Sequence, residues 1–155
     1  MGFGLGGLFG GEDNDAEKEA QKAANRASEE ERRRQWRIRS GRNKINDAFS
    51  GFNDQFYQGA QDAYTGYYFP QLDRQYGKAN ERTQLNLASR GLSGSSTAAD
   101  TLGDLLFQNN TQRTAIADAG RGSAQELKRN VENQRQTLLS QNQAAADPAL
   151  AASQA

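Results

Sequence analysis

The chain has 155 residues, 35% of them hydrophobic and 25% charged, and its mean hydropathy of −0.95 leaves little apolar material for a single-chain core. Because 19 Lys and Arg side chains balance 19 Asp and Glu side chains, no overall charge attracts nucleic acid or an anionic membrane, and any such binding has to be local. The absence of both Cys and His excludes disulfides, Ser-His-Asp and Cys-His catalysis and the usual zinc ligand sets, so we expect a non-enzymatic protein with no catalytic, cofactor or metal site.

Residues 1–11 form a glycine-rich apolar arm. It contains six Gly and the four large apolar side chains Phe3, Leu5, Leu8 and Phe9. Gly favours no regular structure, so we interpret this segment as an arm that is flexible or that a partner orders. It lacks a basic leader and its apolar run is interrupted by Gly, which is not typical of a secretory signal.

The first long helical region is predicted at residues 12–89. From Asp13 the composition changes to Ala, Glu, Lys, Gln and Arg, and β-branched residues are scarce, which together predict an all-α protein. Ser40 and Gly41 are expected to break or weaken the helix. Pro70 is expected to kink or interrupt it, because proline lacks an amide donor and crowds the preceding turn.

A cation-rich segment lies within this region. Glu29, Glu30 and Glu31 precede a run of arginines that surrounds Trp36, which is typical of a local nucleic-acid surface where an indole stacks on a base. The candidate DNA contacts are Arg32, Arg33, Arg34, Trp36, Arg37 and Arg39. The alternative is a solvated helix face, on which Glu29 pairs with Arg33 and Glu30 with Arg34 at a spacing of four.

The apolar residues that follow keep an eleven-residue repeat. They lie at Ile45, Phe49, Phe52, Phe56, Ala60, Ala63 and Tyr67, and a similar series resumes at Leu72, Tyr76, Ala79, Thr83 and Leu87. Eleven residues complete three helical turns, so this spacing predicts a stripe on one side of a long, nearly straight helix.

Residues 49–69 carry eight aromatic side chains and no Lys or Arg. Twenty-one helical residues span roughly 30 Å, about the thickness of the hydrocarbon core of a bilayer. Polar residues on the other side exclude a lone spanning helix but allow a ring around a watery lumen. The alternative is that the aromatic residues pack between helices in a soluble bundle. The candidate oligomer or membrane face comprises Phe49, Phe52, Phe56, Tyr64, Tyr67, Tyr68 and Phe69.

A hairpin turn is predicted at residues 90–96, with Gly91 suited to a left-handed helix C-cap. Thr97 and Asp100 resemble a capping box, so the second long helix is predicted at 97–142. Its apolar stripe comprises Leu105, Ile116, Leu127 and Leu138 at intervals of eleven, together with Leu102, Leu106, Gly120 and Val131. Residues 143–155 lack apolar periodicity and predict a disordered tail.

Helices of roughly 40 to 50 residues would be about 60 to 75 Å long, and rods of that length need partners. The expected fold is therefore an all-α, long helical hairpin, kinked near Pro70, whose copies assemble into a homo-oligomeric ring or tube.

These features resemble the small internal virion, or ejection, proteins of short-tailed bacteriophages. The resemblance rests on the glycine-rich apolar arm, the two long Ala/Gln/Asn-rich helices and the segment Ala-Ser-Arg-Gly-Leu-Ser-Gly-Ser-Ser at residues 88–96. It implies a structural protein that is packaged in the virion and then ejected. In the host cell envelope its copies would form a conduit for DNA, without sequence specificity, together with other virion or ejection proteins and at the outer membrane.

Two further interpretations stay open. A soluble virion scaffold or adaptor would bind portal or tail components through the same stripes. The sequence supports a carboxylate-based cell-wall hydrolase less strongly, because the Asp and Glu residues are dispersed along the predicted helices.

Overall fold

The computed structural model describes residues 12–146 and is all-helical over that range. Helix α1 spans Glu12–Phe49, helix α2 spans Asp54–Ser89 and helix α3 spans Ser96–Ala146. The all-α prediction is therefore confirmed for the described chain. The glycine-rich arm, and residues 147–155 of the predicted tail, lie outside the described residues, whereas residues 143–146 of that tail are helical.

The helices form two compact units, which are described separately. In the first, which comprises the described residues up to 48 and from 135 onward, the second half of α1 packs against the end of α3. In the second, residues 49–134, helix α2 and the longer part of α3 form an antiparallel helical hairpin. Ion pairs join the two arms of this hairpin, Lys128 with Asp54 at 3.2 Å and Arg113 with Asp73 at 2.6 Å.

The predicted first helical region is interrupted, but not at the expected residues. Helix α1 continues through Ser40 and Gly41, and the break lies at residues 50–53. Asn53 caps α2, because its side-chain oxygen accepts a hydrogen bond from the Phe56 amide at 3.0 Å. The regular spacing of apolar residues across this point predicted a continuous helix, and that prediction was wrong: α1 ends at Phe49, and Asn53 begins a new helix as its N-cap.

Pro70 lies inside α2, which is helical on both sides of it, so the proline does not interrupt the helix. The kink stays a prediction. The residues that follow, Leu72, Tyr76, Ala79, Thr83 and Leu87, are all buried or half-buried, as their spacing predicts.

The hairpin turn lies where the Gly/Ser-rich segment predicts it. Gly91 has a φ of 71°, a left-handed conformation that suits Gly, and the amide of Leu92 donates to the Leu87 carbonyl at 2.9 Å. The start of α3 differs from the prediction: the side chain of Ser95, not Thr97, accepts the bond from the Ala98 amide at 3.2 Å. The predicted capping box is therefore wrong, since the helix begins one residue before Thr97.

The covered side of α3 keeps the eleven-residue repeat. Its members include Ala98, Asn109, Gly120, Val131 and Asn142, all buried or half-buried. Leu105, Ile116 and Leu127 are half-buried as predicted, but Leu106 and Leu138 are exposed. We call the line of contact between two packed helices a seam, and Leu106 lies beside the seam between α2 and α3. Near Leu138 helix α3 packs on α1 instead of α2, so Leu139 is covered in place of Leu138.

The core is very small. The buried apolar residues of the described chain are Leu72, Leu87, Ala98, Ala124 and Ala146. Gly120 lets the hairpin arms approach closely, since a Cβ built there would lie 3.3 Å from Tyr64 Cδ1. Much of the apolar surface of the helices is consequently left uncovered.

Candidate oligomerisation surface

Among the described residues, α3 covers one side of helix α2, and the opposite side of α2 carries an aromatic stripe. Phe56, Ala60, Ala63 and Tyr67 follow one another in steps of four, three and four and therefore share a side of the helix. We call these four residues the outer stripe. Phe56 is 41% exposed and Tyr67 is 65% exposed, whereas the residues that face α3, such as Leu72 and Leu87, are buried.

The outer stripe extends towards the hairpin turn through an isolated apolar side chain. Leu85 lies eighteen residues, or five turns, beyond Tyr67 and is 64% exposed. Between them the same side carries Arg74, Lys78 and Glu81. The first half of this side of α2 is thus apolar and the second half is mainly charged.

The seven aromatic residues predicted as one face do not form one face. Tyr64 lies against Gly120 of α3, and the Phe69 ring lies under the Arg113 guanidinium at 4.7 Å, so both belong to the covered side. Phe56 and Tyr67 lie on the outer stripe.

The remaining aromatic residues join these rings into two clusters. One cluster lies at the break between α1 and α2, where the Phe52 ring centroid is 5.7 Å from Phe49 and 5.0 Å from Phe56. In the other, the Tyr68 ring centroid is 4.6 Å from that of Tyr64 and 5.0 Å from that of Tyr67. These tilted and edge-to-face ring contacts hold the exposed rings in place without covering them.

The cation-rich segment of α1 presents a shallow groove to solvent. Glu29, Arg32, Arg33 and Trp36 line it, and Trp36 is 67% exposed. From residue 32 to residue 46 the chain has seven cationic side chains and no carboxylate, which concentrates positive charge on one segment of a chain whose net charge is zero. Such a groove can hold a polyanion and offer an indole for stacking.

The six candidate DNA contacts are not equivalent. Arg34 forms a two-point contact with the Glu31 carboxylate at 2.9 and 3.0 Å, an ion pair at a spacing of three residues that was not predicted. This contact, with a bond from Gln35, lowers the pKa of Glu31 to about 2. Arg39 lines a different groove, beside Arg34 and Gln143.

Several polar contacts in the seams between helices were not predicted from the sequence, and Arg113 and Asn142 illustrate them. Arg113 occupies a covered position of the α3 repeat and reaches both the Phe69 ring and Asp73. Asn142 occupies another, and its amide donates to the Ile38 carbonyl at 2.9 Å over Gly41, where a Cβ would overlap it. Their eleven-residue spacing from Leu102 and Val131 could have predicted these covered positions, although a polar side chain by itself predicts an exposed position.

Within residues 12–146, no group of three or more carboxylate, His or Cys side chains is placed to bind a metal ion, and no helix is both long and apolar enough to cross a membrane.

Comparison with known proteins adds no relative: no protein family, curated protein or solved structure matches this chain.

Proposed function

We propose that this protein is a structural phage ejection protein, whose copies associate through the outer stripe and form a conduit for genome delivery across the host cell envelope. The single observation that supports association best is the outer stripe itself. Phe56 and Tyr67 stay substantially exposed and share one side of α2 with the exposed Ala63 and Leu85. Exposed aromatic stripes of this kind mark surfaces that another protein or a lipid covers.

The cation-rich segment supports the second part of the proposal, a conduit for DNA. Arg32, Arg33 and Arg37 are exposed on α1, and Trp36 lies among them. In an assembly of many copies, these side chains would repeat around a passage and contact phosphates without reading sequence. The resemblance to virion proteins supports the biological setting. The outer stripe supports association between copies, and the cation-rich segment supports contact with DNA.

The outer stripe is tested by replacing Phe56 and Tyr67 with Ser. We expect the double variant to keep its helical circular dichroism, because both side chains lie away from the covered side of α2, but to lose higher oligomers in sedimentation and dye release from liposomes. Phe107→Ser is the matched control, since this Phe is 72% exposed on α3 and does not belong to the stripe. Equal oligomer mass and dye release in both variants would refute the proposal.

The same double variant separates the two virion interpretations. In phage particles, normal assembly with loss of genome delivery supports the conduit. Failure of the particles to assemble supports a scaffold or adaptor, which would need the stripe to bind portal or tail components.

DNA binding by the cation-rich segment is tested by replacing Arg32, Arg33 and Arg37 with Ser. Each neutralised phosphate contributes about 0.7 to 0.9 to the slope of log affinity against log salt, so a variant without these three cations is expected to have a slope smaller by about 2 to 3. Fluorescence anisotropy of labelled DNA over a salt series measures this slope. The control, Arg74→Ser with Arg82→Ser and Arg90→Ser, removes the same charge elsewhere. An unchanged slope in the first variant would exclude this segment as the DNA-binding surface.

A further inference from the structure

The first half of α1 is a helix that nothing in the described chain covers. Every side chain from residue 14 to residue 33 is exposed, whereas beyond this point one side of α1 is half-buried against α3. Twenty residues of helix are about 30 Å long, and a helix of this kind is marginally stable in water without a packing partner. This half of α1 is therefore the part of the described chain that most needs one.

The side of α1 that packs on α3 continues into the uncovered half. In the packed half this side carries Arg34, Ile38, Gly41 and Ile45, and in the uncovered half it carries Ala16, Ala20, Ala23 and Ala27, with the same steps of four and three. Ala16, Ala27 and Ile38 are each eleven residues apart. The seam with α3 is thus continuous with a surface of the same geometry that residues 12–146 leave open, and the small side chains allow a second helix to approach closely.

Along one edge of this surface, the order of acidic and basic side chains is complementary to that of a second, antiparallel copy. Asp15 and Glu19 come first and Lys22 and Arg26 follow, all on the same edge of α1 and all exposed; Lys18 lies next to this edge and reaches Asp15 at 3.8 Å. A second copy lying antiparallel places the acidic pair of each helix beside the basic pair of the other, and the two-fold axis makes this happen twice. In a parallel pair, this edge of each helix would instead face the opposite edge of its partner, so the acidic and basic pairs would not meet. The mixed charge also disfavours a polyanion as the covering partner.

We propose that residues 15–27 of α1 pair antiparallel with the same segment of a second copy, with Ala20 of one copy opposite Ala23 of the other. The pairing uses a surface separate from the outer stripe, so it adds a second contact between copies and does not depend on the first. Because the chain has zero net charge, no general repulsion between copies opposes it.

The register is tested by disulfide cross-linking of the full chain, which contains no Cys of its own. Ala20→Cys and Ala23→Cys proteins are mixed and oxidised. We expect the cross-link between Cys at 20 and Cys at 23 to exceed the two homotypic cross-links, because only antiparallel pairing brings these positions together. The same result is expected in a background carrying Phe56→Ser and Tyr67→Ser, which tests the pairing apart from the outer stripe. Predominant homotypic cross-links, or none at any concentration, would overturn the proposal.

The charge complementarity is tested by reversing the charges in two variants and then mixing the two proteins. A basic variant carries Asp15→Lys and Glu19→Lys, and an acidic variant carries Lys22→Glu and Arg26→Glu. Each alone is expected to weaken the pairing on the order of tenfold or more, because attractive pairs become repulsive, and mixing the two restores it. Gln21→Lys with Asn25→Lys, and the corresponding Glu pair, change charge on the opposite side and serve as controls. Pairing that survives in each variant alone, or that mixing fails to restore, would contradict the proposed contact.

Discussion

Replacing Leu87 with Ala is expected to lower the free energy of unfolding of the α2–α3 hairpin by about 2 to 5 kcal/mol, the usual cost of truncating a buried Leu. Leu87 is 7% exposed and lies at the end of α2 where the helix meets Ala98 of α3. Few other buried apolar side chains stabilise this hairpin, so the cavity has little to collapse onto. Urea unfolding followed by circular dichroism measures the loss.

Leu85→Ala provides the matched control for Leu87→Ala. It removes the same atoms from the same helix two residues earlier, but Leu85 is 64% exposed, and a surface substitution of this kind is expected to change the free energy of unfolding by less than about 0.5 kcal/mol. If the two variants unfold at the same urea concentration, α2 does not pack on α3 through the side that carries Leu87.

Replacing Gly120 with Leu is expected to destabilise the same hairpin by about 1 to 3 kcal/mol, even though Leu favours helix more than Gly does. A Cβ at Gly120 would already lie 3.3 Å from Tyr64 Cδ1 and 3.4 Å from Thr65 Cγ2, so the rest of a Leu side chain has no room. The arms would have to separate, which also exposes neighbouring seam residues. Thermal unfolding and the near-ultraviolet signal of the tyrosines report this change.

Gly122→Leu tests whether the effect comes from packing or from helix propensity. Gly122 lies in the same helix, and a Cβ there would meet nothing within 4 Å. The substitution is therefore expected to stabilise the protein by up to about 1 kcal/mol, since an unhindered residue of higher helix propensity replaces Gly. Destabilisation of equal size at both positions would mean that close approach at Gly120 is not required.

Leu87 differs from Leu85, and Gly120 from Gly122, in facing the opposing helix. For the same reason, part of the candidate site was predictable from the sequence and part was not. The outer stripe of α2 and the series of residues on its covered side are both visible in the sequence as spacings of three and four. Which stripe faces α3 depends on where the chain turns and on which positions of α3 are small, and no local property of Phe56 or Tyr64 reveals it. Phe56 and Tyr67 consequently belong to the exposed surface, while Tyr64 and Phe69 belong to the seam with α3.

The polar members of the seams illustrate the same limit. Residue type predicts Arg113 and Asn142 at the surface, because isolated charged and amide side chains usually stay in water. Their positions in the repeat place them in the seams, where each finds a partner on the opposing helix: Asp73 for Arg113 and the Ile38 carbonyl for Asn142. A pattern of apolar residues alone omits such positions, although their satisfied hydrogen bonds help to fix how the helices align.

The sequence by itself determined that this chain is helical, that it turns at Gly91 and that one eleven-residue period runs through its helices. These properties depend on helix propensity, glycine conformation and the pitch of the α-helix, all of which are local. The tertiary structure alone decided that Phe56 and Tyr67 are left uncovered and that no described residue covers the first half of α1. Burial is a property of pairs of helices, and which sides meet is set by contacts between residues far apart in the chain.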